Sequence, residues 1–300
     1  MTSETTTCPS EAPLTLGDLV DRGAAYLVRH GVPPDEAPTQ AEILVEEAIG
    51  LRRAALLLRR ADRPAPEAVA RLRGAFRRVA AGEPLQYVVG HWPFLGAELR
   101  VAPGALIPRP ETEGLVERVL SHPLWPAARQ AADIGTGTGA IAIALALAAK
   151  AEGRPLQVRA VDLSPDALAL ARANAAANGV GDRVACEPGD GAAGLPPASC
   201  DLIVSNPPYI ATADVDALPP LIRDHEPRLA LDGGPDGLRV LRQIILDATQ
   251  ALRPGGRLFL EIGDDQGLSV RRLLERAGYA DVVIARDLAG HDRYAEGSLP

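Results

Sequence analysis

The sequence predicts an α/β fold with a mostly parallel sheet, which follows a small all-α domain and a β-hairpin linker. From about residue 106 onward, short apolar runs typical of strands alternate with longer helical runs. Such alternation produces a mostly parallel sheet with helices on both faces. Before residue 84 the apolar residues recur at helical spacing, and a short alternating segment separates the two patterns.

The chain has 300 residues, a length typical of about two domains. The changes of pattern divide it into segments. Residues 1–13 are rich in Thr, Ser and Glu, and we expect them to be a disordered tail. We expect residues 14–83 to form the helical domain, 84–104 the hairpin linker and 105–300 the catalytic domain.

The helical domain is predicted from an apolar stripe. Its members recur at the spacing of one helical face: Ala37, Ala41, Leu44, Ala48 and Leu51. Pro66 occupies a favourable first helical position. We expect about three to five short helices between residues 16 and 81, without a catalytic cluster.

The linker is predicted from alternation. Leu85, Tyr87 and Val89 alternate, Gly90 interrupts the run, and apolar residues resume from Phe94 to Val101. Two such runs around a break are typical of a β-hairpin. The pattern therefore predicts a hairpin over residues 85–101.

Strands and helices alternate in the catalytic domain. The predicted strands are 130–134, 157–162, 183–187, 201–205, 257–262 and 281–286. The predicted helices are 139–149, 165–178, 240–252 and 267–277. Ligands of such folds bind at the carboxyl ends of the strands, near the point where the strand order reverses. We expect the loops after Ile134, Asp162, Glu187 and Ser205 to share one rim.

A glycine-rich loop follows the first of these strands and reads Asp133-Ile134-Gly135-Thr136-Gly137-Thr138-Gly139. Glycines let the backbone adopt positive φ and approach a ligand closely. Asp162 ends the next strand, where a carboxylate can accept the hydroxyl protons of a ribose. A nicotinamide dinucleotide, or a plain strand-to-helix turn, also fits these glycines.

Two features favour S-adenosyl-L-methionine over a dinucleotide. The last glycine comes one residue early for a dinucleotide, and S-adenosyl-L-methionine has no phosphate to place on an exposed helix N-terminus. Asp133, at the strand end, can attract the ammonium group of the methionine moiety. Asp190, which precedes Gly191 after the third strand, can accept the adenine amino hydrogens, although Gly-Asp-Gly is equally an ordinary turn sequence.

The fourth strand is followed directly by Asn206-Pro207-Pro208-Tyr209. Consecutive prolines fix the backbone and remove N–H donors, which leaves the Asn206 side-chain oxygen and the Pro207 carbonyl as rigid acceptors beside a flat ring. An amide or aromatic amine nitrogen is a poor nucleophile because its lone pair is delocalised. Two acceptors can hold its hydrogens and aim the lone pair at a sulfonium methyl group. The motif therefore predicts methyl transfer to a planar nitrogen without a strong base.

Net charge is −8, which argues against tight, non-specific binding to nucleic acid. One N-terminal stretch is nevertheless rich in arginine, at positions 52, 53, 59, 60, 63, 71, 73, 77 and 78. A solvated helical face is the simpler interpretation. The alternative is a docking face for an acidic protein or for RNA.

The cysteines are Cys8, Cys186 and Cys200, and their spacing suits neither a disulfide framework nor a metal site. We therefore expect a reducing, cytoplasmic setting and no metal. No apolar run is long enough to span a membrane, and the N-terminus lacks a signal-peptide pattern.

Several motifs, taken together and in order, resemble the HemK/PrmC family of peptide chain release factor glutamine methyltransferases. They are Gly82-Glu83-Pro84-Leu85-Gln86-Tyr87, Ile107-Pro108-Arg109-Pro110-Glu111-Thr112-Glu113, the loop from Asp133 to Gly139, Asn206-Pro207-Pro208-Tyr209-Ile210, Glu226-Pro227-Arg228-Leu229-Ala230-Leu231 and Glu261-Ile262-Gly263. The resemblance runs from about residue 15 to near the C-terminus.

The resemblance implies a class I S-adenosylmethionine-dependent methyltransferase domain, Rossmann-like, with a mostly parallel seven-stranded sheet. The implied substrate is the glutamine of the Gly-Gly-Gln loop in class 1 translation release factors, and the product is N5-methylglutamine. We also expect a monomer that binds neither nucleic acid stably nor a membrane.

By position, the resemblance assigns cofactor contacts to residues 135–139, Asp162 and Asn206. It assigns the glutamine amide to Asn206, Pro207 and Tyr209, and we expect Pro208 to contact the substrate beside them. Residues 107–113, with Arg109, would form a proline-stiffened loop that lines the site. The chain departs from the family at Gly191, where a bulky residue is usual, and matches the last strand weakly at residues 293–297.

Other functions remain open at this point. Adenine-N6 methyltransferases and a ribosomal-protein glutamine methyltransferase use a similar Asn-Pro-Pro-Tyr loop. A nicotinamide oxidoreductase would need a hydride-side acid or base, and no histidine occupies a recognisable catalytic context. A non-enzymatic binding protein is disfavoured by the intact acceptor and ribose positions.

Overall fold

The computed structural model describes residues 14–300. The predicted tail at residues 1–13, with Cys8, lies outside the described residues. The chain divides into two compact units between Val89 and Gly90. Each unit is described separately below.

The first unit is helical. Its helices are α1 (Leu16–Arg29), α2 (Ala37–Ile49), α3 (Arg53–Leu58), α4 (Pro66–Ala80) and α5 (Leu85–Val89). Thr15 and Asp18 form a reciprocal capping box that starts α1, and prolines occupy the first turns of α2 and α4. The helical prediction for this region is confirmed. Buried leucine, valine and alanine side chains pack α1, α2 and α4 together.

Several arginines of the N-terminal stretch are engaged within the first unit. Arg59 pairs with Asp62 at 2.6 Å, and Arg60 pairs with Asp21 at 2.8 Å. Arg78 pairs with Glu83 at 2.5 Å. These exposed pairs neutralise three of the nine arginines, and for that part of the stretch they favour a solvated helical face.

The strand predicted at the start of the linker is wrong. Residues 85–89 form the short helix α5, whose first turn is closed by hydrogen bonds from Tyr87 and Val88 to the Pro84 carbonyl at 3.0 and 3.1 Å. Leu85 and Tyr87 are both buried, but a run this short does not distinguish a strand from one helical turn. The hairpin itself exists as β1 (His91–Phe94) and β2 (Ala97–Arg100).

The hairpin belongs to the second unit. The backbone N–H of Glu98 donates to Asn178 Oδ1 at 3.1 Å, and that of Arg100 donates to Asn174 Oδ1 at 2.8 Å. Asn174 returns a hydrogen bond to the Arg100 carbonyl at 3.0 Å. These bonds attach the hairpin to the second unit, whereas the pattern predicted it as a linker between two domains.

The strands of the second unit continue with β3 (Gln130–Ile134), β4 (Gln157–Asp162), β5 (Val184–Pro188), β6 (Cys200–Ser205), β7 (Leu252–Glu261), β8 (Ala280–Arg286) and β9 (Asp292–Ser298). The helices between and around them are α6 (Pro110–Ser121), α7 (Ala140–Ala151), α8 (Pro165–Ala177), α9 (Thr212–Val215), α10 (Pro220–Arg223), α11 (Arg239–Ala251) and α12 (Gly267–Arg276). Within residues 14–300 no helix is long and apolar enough to cross a membrane.

Seven strands of the described chain form one sheet in the order β5-β4-β3-β6-β7-β9-β8. All pairs are parallel except those that β9 makes with β7 and β8. The prediction of a mostly parallel sheet is confirmed. The weakly matching segment 293–297 is indeed a strand, inserted antiparallel between β7 and β8.

The sheet has an apolar core on each face. One core packs α6 and α7 against the sheet, and the other packs α11 and α12. Alanine fills much of α7, which lets neighbouring helices approach closely. At Gly139 a Cβ would lie 3.2 Å from the Ala171 backbone on α8, so the glycine that ends the loop also allows α7 and α8 to pack.

Candidate active site

A cavity of about 510 Å³ opens at the carboxyl edge of the sheet, within the range of about 300–1,000 Å³ usual for small-molecule sites. The loops after β3, β4, β5 and β6 all line it, as the topology predicts. The predicted site residues in its lining are Arg109, Gly135, Thr136, Gly137, Thr138, Asp162, Asp190, Gly191, Asn206, Pro207 and Pro208. Asp133, Gly139 and Tyr209 are not in the lining.

The glycine loop is tied to β4 by its backbone. The N–H groups of Gly135 and Thr136 donate to the Val161 carbonyl at 2.8 and 3.0 Å. Gly135 and Gly137 adopt φ of +71° and +54°, a conformation that strongly favours glycine. The loop therefore presents a rigid, side-chain-poor surface to the cavity.

Asp133 supports this loop from beneath. It is fully buried, and its Oδ2 accepts hydrogen bonds from Thr136 Oγ1 at 2.6 Å and from the Ala142 N–H at 3.1 Å. Through Oδ2, Asp133 joins the loop to the first turn of α7. Its Oδ1 is buried and has no hydrogen-bond partner among the described residues. Direct contact between this carboxylate and a ligand ammonium group stays a prediction.

Asp162 lies at the end of β4 and lines the cavity. Its Oδ2 accepts from the Gly137 N–H at 2.8 Å, and its Oδ1 accepts from the Ser164 N–H at 2.9 Å. A carboxylate has about four lone-pair positions, so acceptor capacity remains for two hydroxyl groups. Leu163 lines the cavity next to it with 54% of its surface exposed, an apolar surface beside the polar group.

The structure explains why residue 191 is glycine. Gly191 has φ of +67°, and a Cβ there would lie 2.8 Å from Asp247 Oδ2 and 3.0 Å from Gln243 Nε2. Gln243 also donates to the Asp190 carbonyl at 3.3 Å. Helix α11 thus occupies the space of the missing bulky side chain, and its residues Val240, Gln243 and Ile244 line the cavity instead.

Asn206 is held by a chain of side-chain hydrogen bonds. Its Nδ2 donates to Thr112 Oγ1 at 2.9 Å, and Thr112 Oγ1 donates to Glu261 Oε2 at 2.8 Å. The strand before it is fixed as well, because Ser205 Oγ donates to the Ile134 carbonyl at 2.6 Å. Asn206 therefore stands beside the glycine loop with its amide nitrogen already engaged.

The ring of Tyr209 lies behind the motif and outside the cavity lining. The Arg293 guanidinium carbon is 6.0 Å from the ring centroid, and Gln266 Nε2 donates to the Tyr209 carbonyl at 2.9 Å. Burial, reinforced by the nearby Glu261 carboxylate, raises the pKa of the Tyr209 phenol to about 12. The phenol is therefore neutral at physiological pH, and the predicted ring contact with the substrate is not shown by this arrangement.

Arg109 belongs to a second connection across the cavity wall. It forms an ion pair with Glu226, which is almost completely buried, and the other Glu226 oxygen accepts from the Ile107 N–H at 3.2 Å. Both segments line the cavity, together with Pro227 and Leu229. The predicted lining loop 107–113 is thus fixed to the 226–231 motif.

Sequence reasoning missed several residues of the site. Thr112, Glu226 and Glu261 stand inside motifs that the resemblance identifies, but their spacing carries no sign of their mutual contacts. Val240 and Ile244 belong to an amphipathic helix, and nothing in the pattern separates a cavity-lining residue from a core residue. The described residues contain no cluster of His, Cys, Asp or Glu able to hold a metal ion.

The cavity fits S-adenosylmethionine on its own chemistry. The glycine-rich loop, the Asp162 carboxylate and the apolar Leu163 suit a nucleoside with a polar tail. Comparison with known proteins agrees. The family model "Methyltransferase small domain" matches residues 112–235, and "PrmC N-terminal domain" matches residues 18–90.

Two curated relatives cover almost the whole chain, and both are named release factor glutamine methyltransferase. The protein of Cereibacter sphaeroides is 45% identical over 92% of this chain and 99% of its own length. That of Moorella thermoacetica is 42% identical over 93% of this chain and 97% of its own length. A solved structure, the hMettl16 catalytic domain in complex with MAT2A 3'UTR hairpin 6, has a TM-score of 0.51 at 18% identity and covers 78% of this chain and 82% of that chain.

Fold and matched domain together define a class I methyltransferase whose cofactor is S-adenosylmethionine. The relatives then specify the branch. The chain belongs to the release factor glutamine methyltransferase family.

The buried carboxyl group of Asp133 predicts a pH dependence of stability. Burial raises its pKa from 3.8 to about 7. A carboxyl group whose folded pKa is raised stabilises the fold fully below its unfolded pKa, and that contribution is lost as pH rises through the folded pKa. We expect the melting temperature of the ligand-free protein to fall for this reason between about pH 4 and pH 7, and Asp133→Asn to flatten the slope.

Thermal unfolding across this pH range measures the effect. Glu261, whose pKa burial also raises to about 7, remains in both proteins, so only the difference in slope is assigned to Asp133. Exposed Asp182 provides a charge-matched control, Asp182→Asn. Equal slopes in the wild type and Asp133→Asn would contradict the assignment.

Proposed function

We propose that this chain methylates the side-chain amide nitrogen of the glutamine in the Gly-Gly-Gln motif of class 1 translation release factors. The relatives named above carry this substrate class in their names. The observation that carries the proposal is the hydrogen bond from Asn206 Nδ2 to Thr112. It leaves the Asn206 oxygen as the atom that can accept an amide hydrogen at the cavity.

The site would work by orientation. A glutamine amide is planar and weakly nucleophilic, and it presents two hydrogens. In the proposed mechanism Asn206 Oδ1 accepts one and the Pro207 carbonyl accepts the other. These rigid acceptors turn the nitrogen lone pair towards the methyl donor, and well-oriented reacting groups recover about 7–11 kcal/mol of barrier in favourable cases.

S-adenosylmethionine supplies an electrophilic methyl group when it is bound. In the proposal, Asp162 accepts the ribose hydroxyl groups, Leu163 and Ile244 cover the adenine, and the backbone of residues 135–139 contacts the remainder. The amide proton is held by Asn206 or Pro207 until solvent takes it. Tyr209 contributes by packing behind the motif.

We also propose the partner and the setting. The charge of −8 and the ion-paired arginines support a protein substrate without stable nucleic-acid binding. Cys186 and Cys200 are free, in keeping with a reducing cytoplasm. A monomer without membrane attachment is part of the same proposal.

Methylation of a release factor tests the substrate. Purified protein with S-adenosylmethionine and a class 1 release factor should add one methyl group, and peptide mass mapping should place it on the Gly-Gly-Gln glutamine. A release factor with glutamate at that position is the control and should remain unmodified. Labelling of a ribosomal protein or of adenine, with the release factor untouched, would contradict the proposal.

Asn206→Ala tests the mechanism. The variant loses the acceptor that holds the amide, so kcat should fall by at least about 100-fold. The glycine loop and Asp162 are unchanged, so calorimetry should still detect S-adenosylmethionine binding. Turnover at the wild-type rate would rule out the proposed role of Asn206.

A further inference from the structure

The side chains behind Asn206 form a directed hydrogen-bond chain. Thr112 and Glu261 lie on different elements, α6 and the last residue of β7, and both are buried, at 5% and 1% exposed. Thr112 joins Asn206 to Glu261. Its Oγ1 accepts from Asn206 Nδ2 at 2.9 Å and donates to Glu261 Oε2 at 2.8 Å.

Direction follows from proton counting. An ionised carboxylate only accepts hydrogen bonds, whereas a hydroxyl has one hydrogen to donate. Thr112 gives that hydrogen to Glu261, so it can only accept from Asn206. An amide has a donor end and an acceptor end, so its NH2 group must face Thr112. Its oxygen is then directed away from Thr112.

We propose that Thr112 and Glu261 are positioning residues that fix the Asn206 amide in the orientation that presents its oxygen to the substrate nitrogen. This inference rests on the proposed function. In the reverse orientation Asn206 would present an NH2 group to the NH2 group of the glutamine, and two donors do not bond. A flipped amide therefore removes one of the two acceptors of the site.

The anchoring is rigid. Thr112 lies in the first turn of α6, where its N–H donates to the Arg109 carbonyl at 3.1 Å and prolines at 108 and 110 stiffen the approach. Glu261 is paired with Tyr294 of β9 within the sheet. Movement of either residue thus requires movement of a core element.

The ionisation state of Glu261 decides whether this hydrogen-bond chain holds the Asn206 amide in one orientation. The groups that face it are Tyr209 from the motif loop, Glu111 from α6, and Arg293 and Tyr294 from β9. Burial raises the pKa of Glu261 to about 7, opposed by the Thr112 hydrogen bond and by Arg293. Protonated Glu261 can itself donate to Thr112, which frees the Thr112 hydrogen for Asn206 Oδ1 and permits the flipped amide. Above about pH 7 Glu261 is ionised, so Thr112 donates to it and the Asn206 amide is held in a single orientation.

Three variants test the inference with the whole chain and a release factor. Thr112→Val keeps the shape but removes the hydroxyl, so kcat should fall by about 10- to 100-fold while KM for the release factor and the affinity for S-adenosylmethionine stay close to wild type. Thr112→Ser keeps the hydroxyl and should restore most of kcat. Thr249→Val, a matched control on α11 whose hydroxyl donates to the Leu246 carbonyl at 2.7 Å, should behave as wild type.

Glu261→Gln gives an independent readout. Glutamine both donates and accepts, so it no longer forces the direction of the Thr112 hydrogen bond. The wild-type kcat should rise with pH through about 7, and this step should disappear in Glu261→Gln, whose kcat should stay below the wild-type plateau.

The outcomes separate the two claims. If the wild type does not methylate the release factor, the proposed function fails. If the wild type methylates the release factor, two results would overturn the positioning inference. One is a wild-type kcat in Thr112→Val. The other is a Glu261→Gln variant that keeps both the pH step and the wild-type plateau of kcat. Should Thr112→Val fail to fold, the loss or retention of the pH step in Glu261→Gln decides the question.

Discussion

The parallel pairing of β3 with both β4 and β6 is the constraint on which the rest of this structure depends. Ile134 is in register with Val161 on one side and Ser205 on the other, so three strand ends stop at the same level. The glycine loop, Asp162 and Asn206 are brought to one edge by that register alone. Hydrogen bonds from Gly135 to Val161 and from Ser205 to Ile134 then close the gaps between the strands.

Around this edge, the buried polar groups support the site from behind. Asp133 joins the glycine loop to α7, Glu226 joins two cavity walls, and Glu261 acts on Asn206 through Thr112. Burying carboxyl groups is costly unless they are hydrogen-bonded, and each of these accepts at least one bond. If a partner of one of these carboxyl groups turned away, the carboxyl group would be left buried without that hydrogen bond, which costs free energy. Each carboxyl group therefore holds its partner in place, and positioning is their common role.

Much of the fold followed from local pattern. Alternating strands and helices predicted the parallel sheet, and the topology predicted the shared rim of its loops. The glycine loop, Asp162 and the Asn-Pro-Pro-Tyr motif could be recognised because the chemistry of each depends on a few consecutive residues. Thr112 and Glu261 were not assigned a role, because they are far apart in sequence and meet only through tertiary packing. The contact between α11 and Gly191 is likewise tertiary, and neither segment shows a sequence pattern that predicts it. Residues 85–89 were mispredicted for another reason, because so short a run fits a strand and a helical turn equally well.

A structure of the protein with S-adenosylhomocysteine and a peptide that contains the Gly-Gly-Gln sequence tests the central claim most directly. The account predicts that the glutamine amide nitrogen lies within hydrogen-bond distance of both Asn206 Oδ1 and the Pro207 carbonyl, while Asn206 Nδ2 remains on Thr112. A glutamine bound elsewhere in the cavity, or an Asn206 amide that turns its nitrogen towards the substrate, would contradict it.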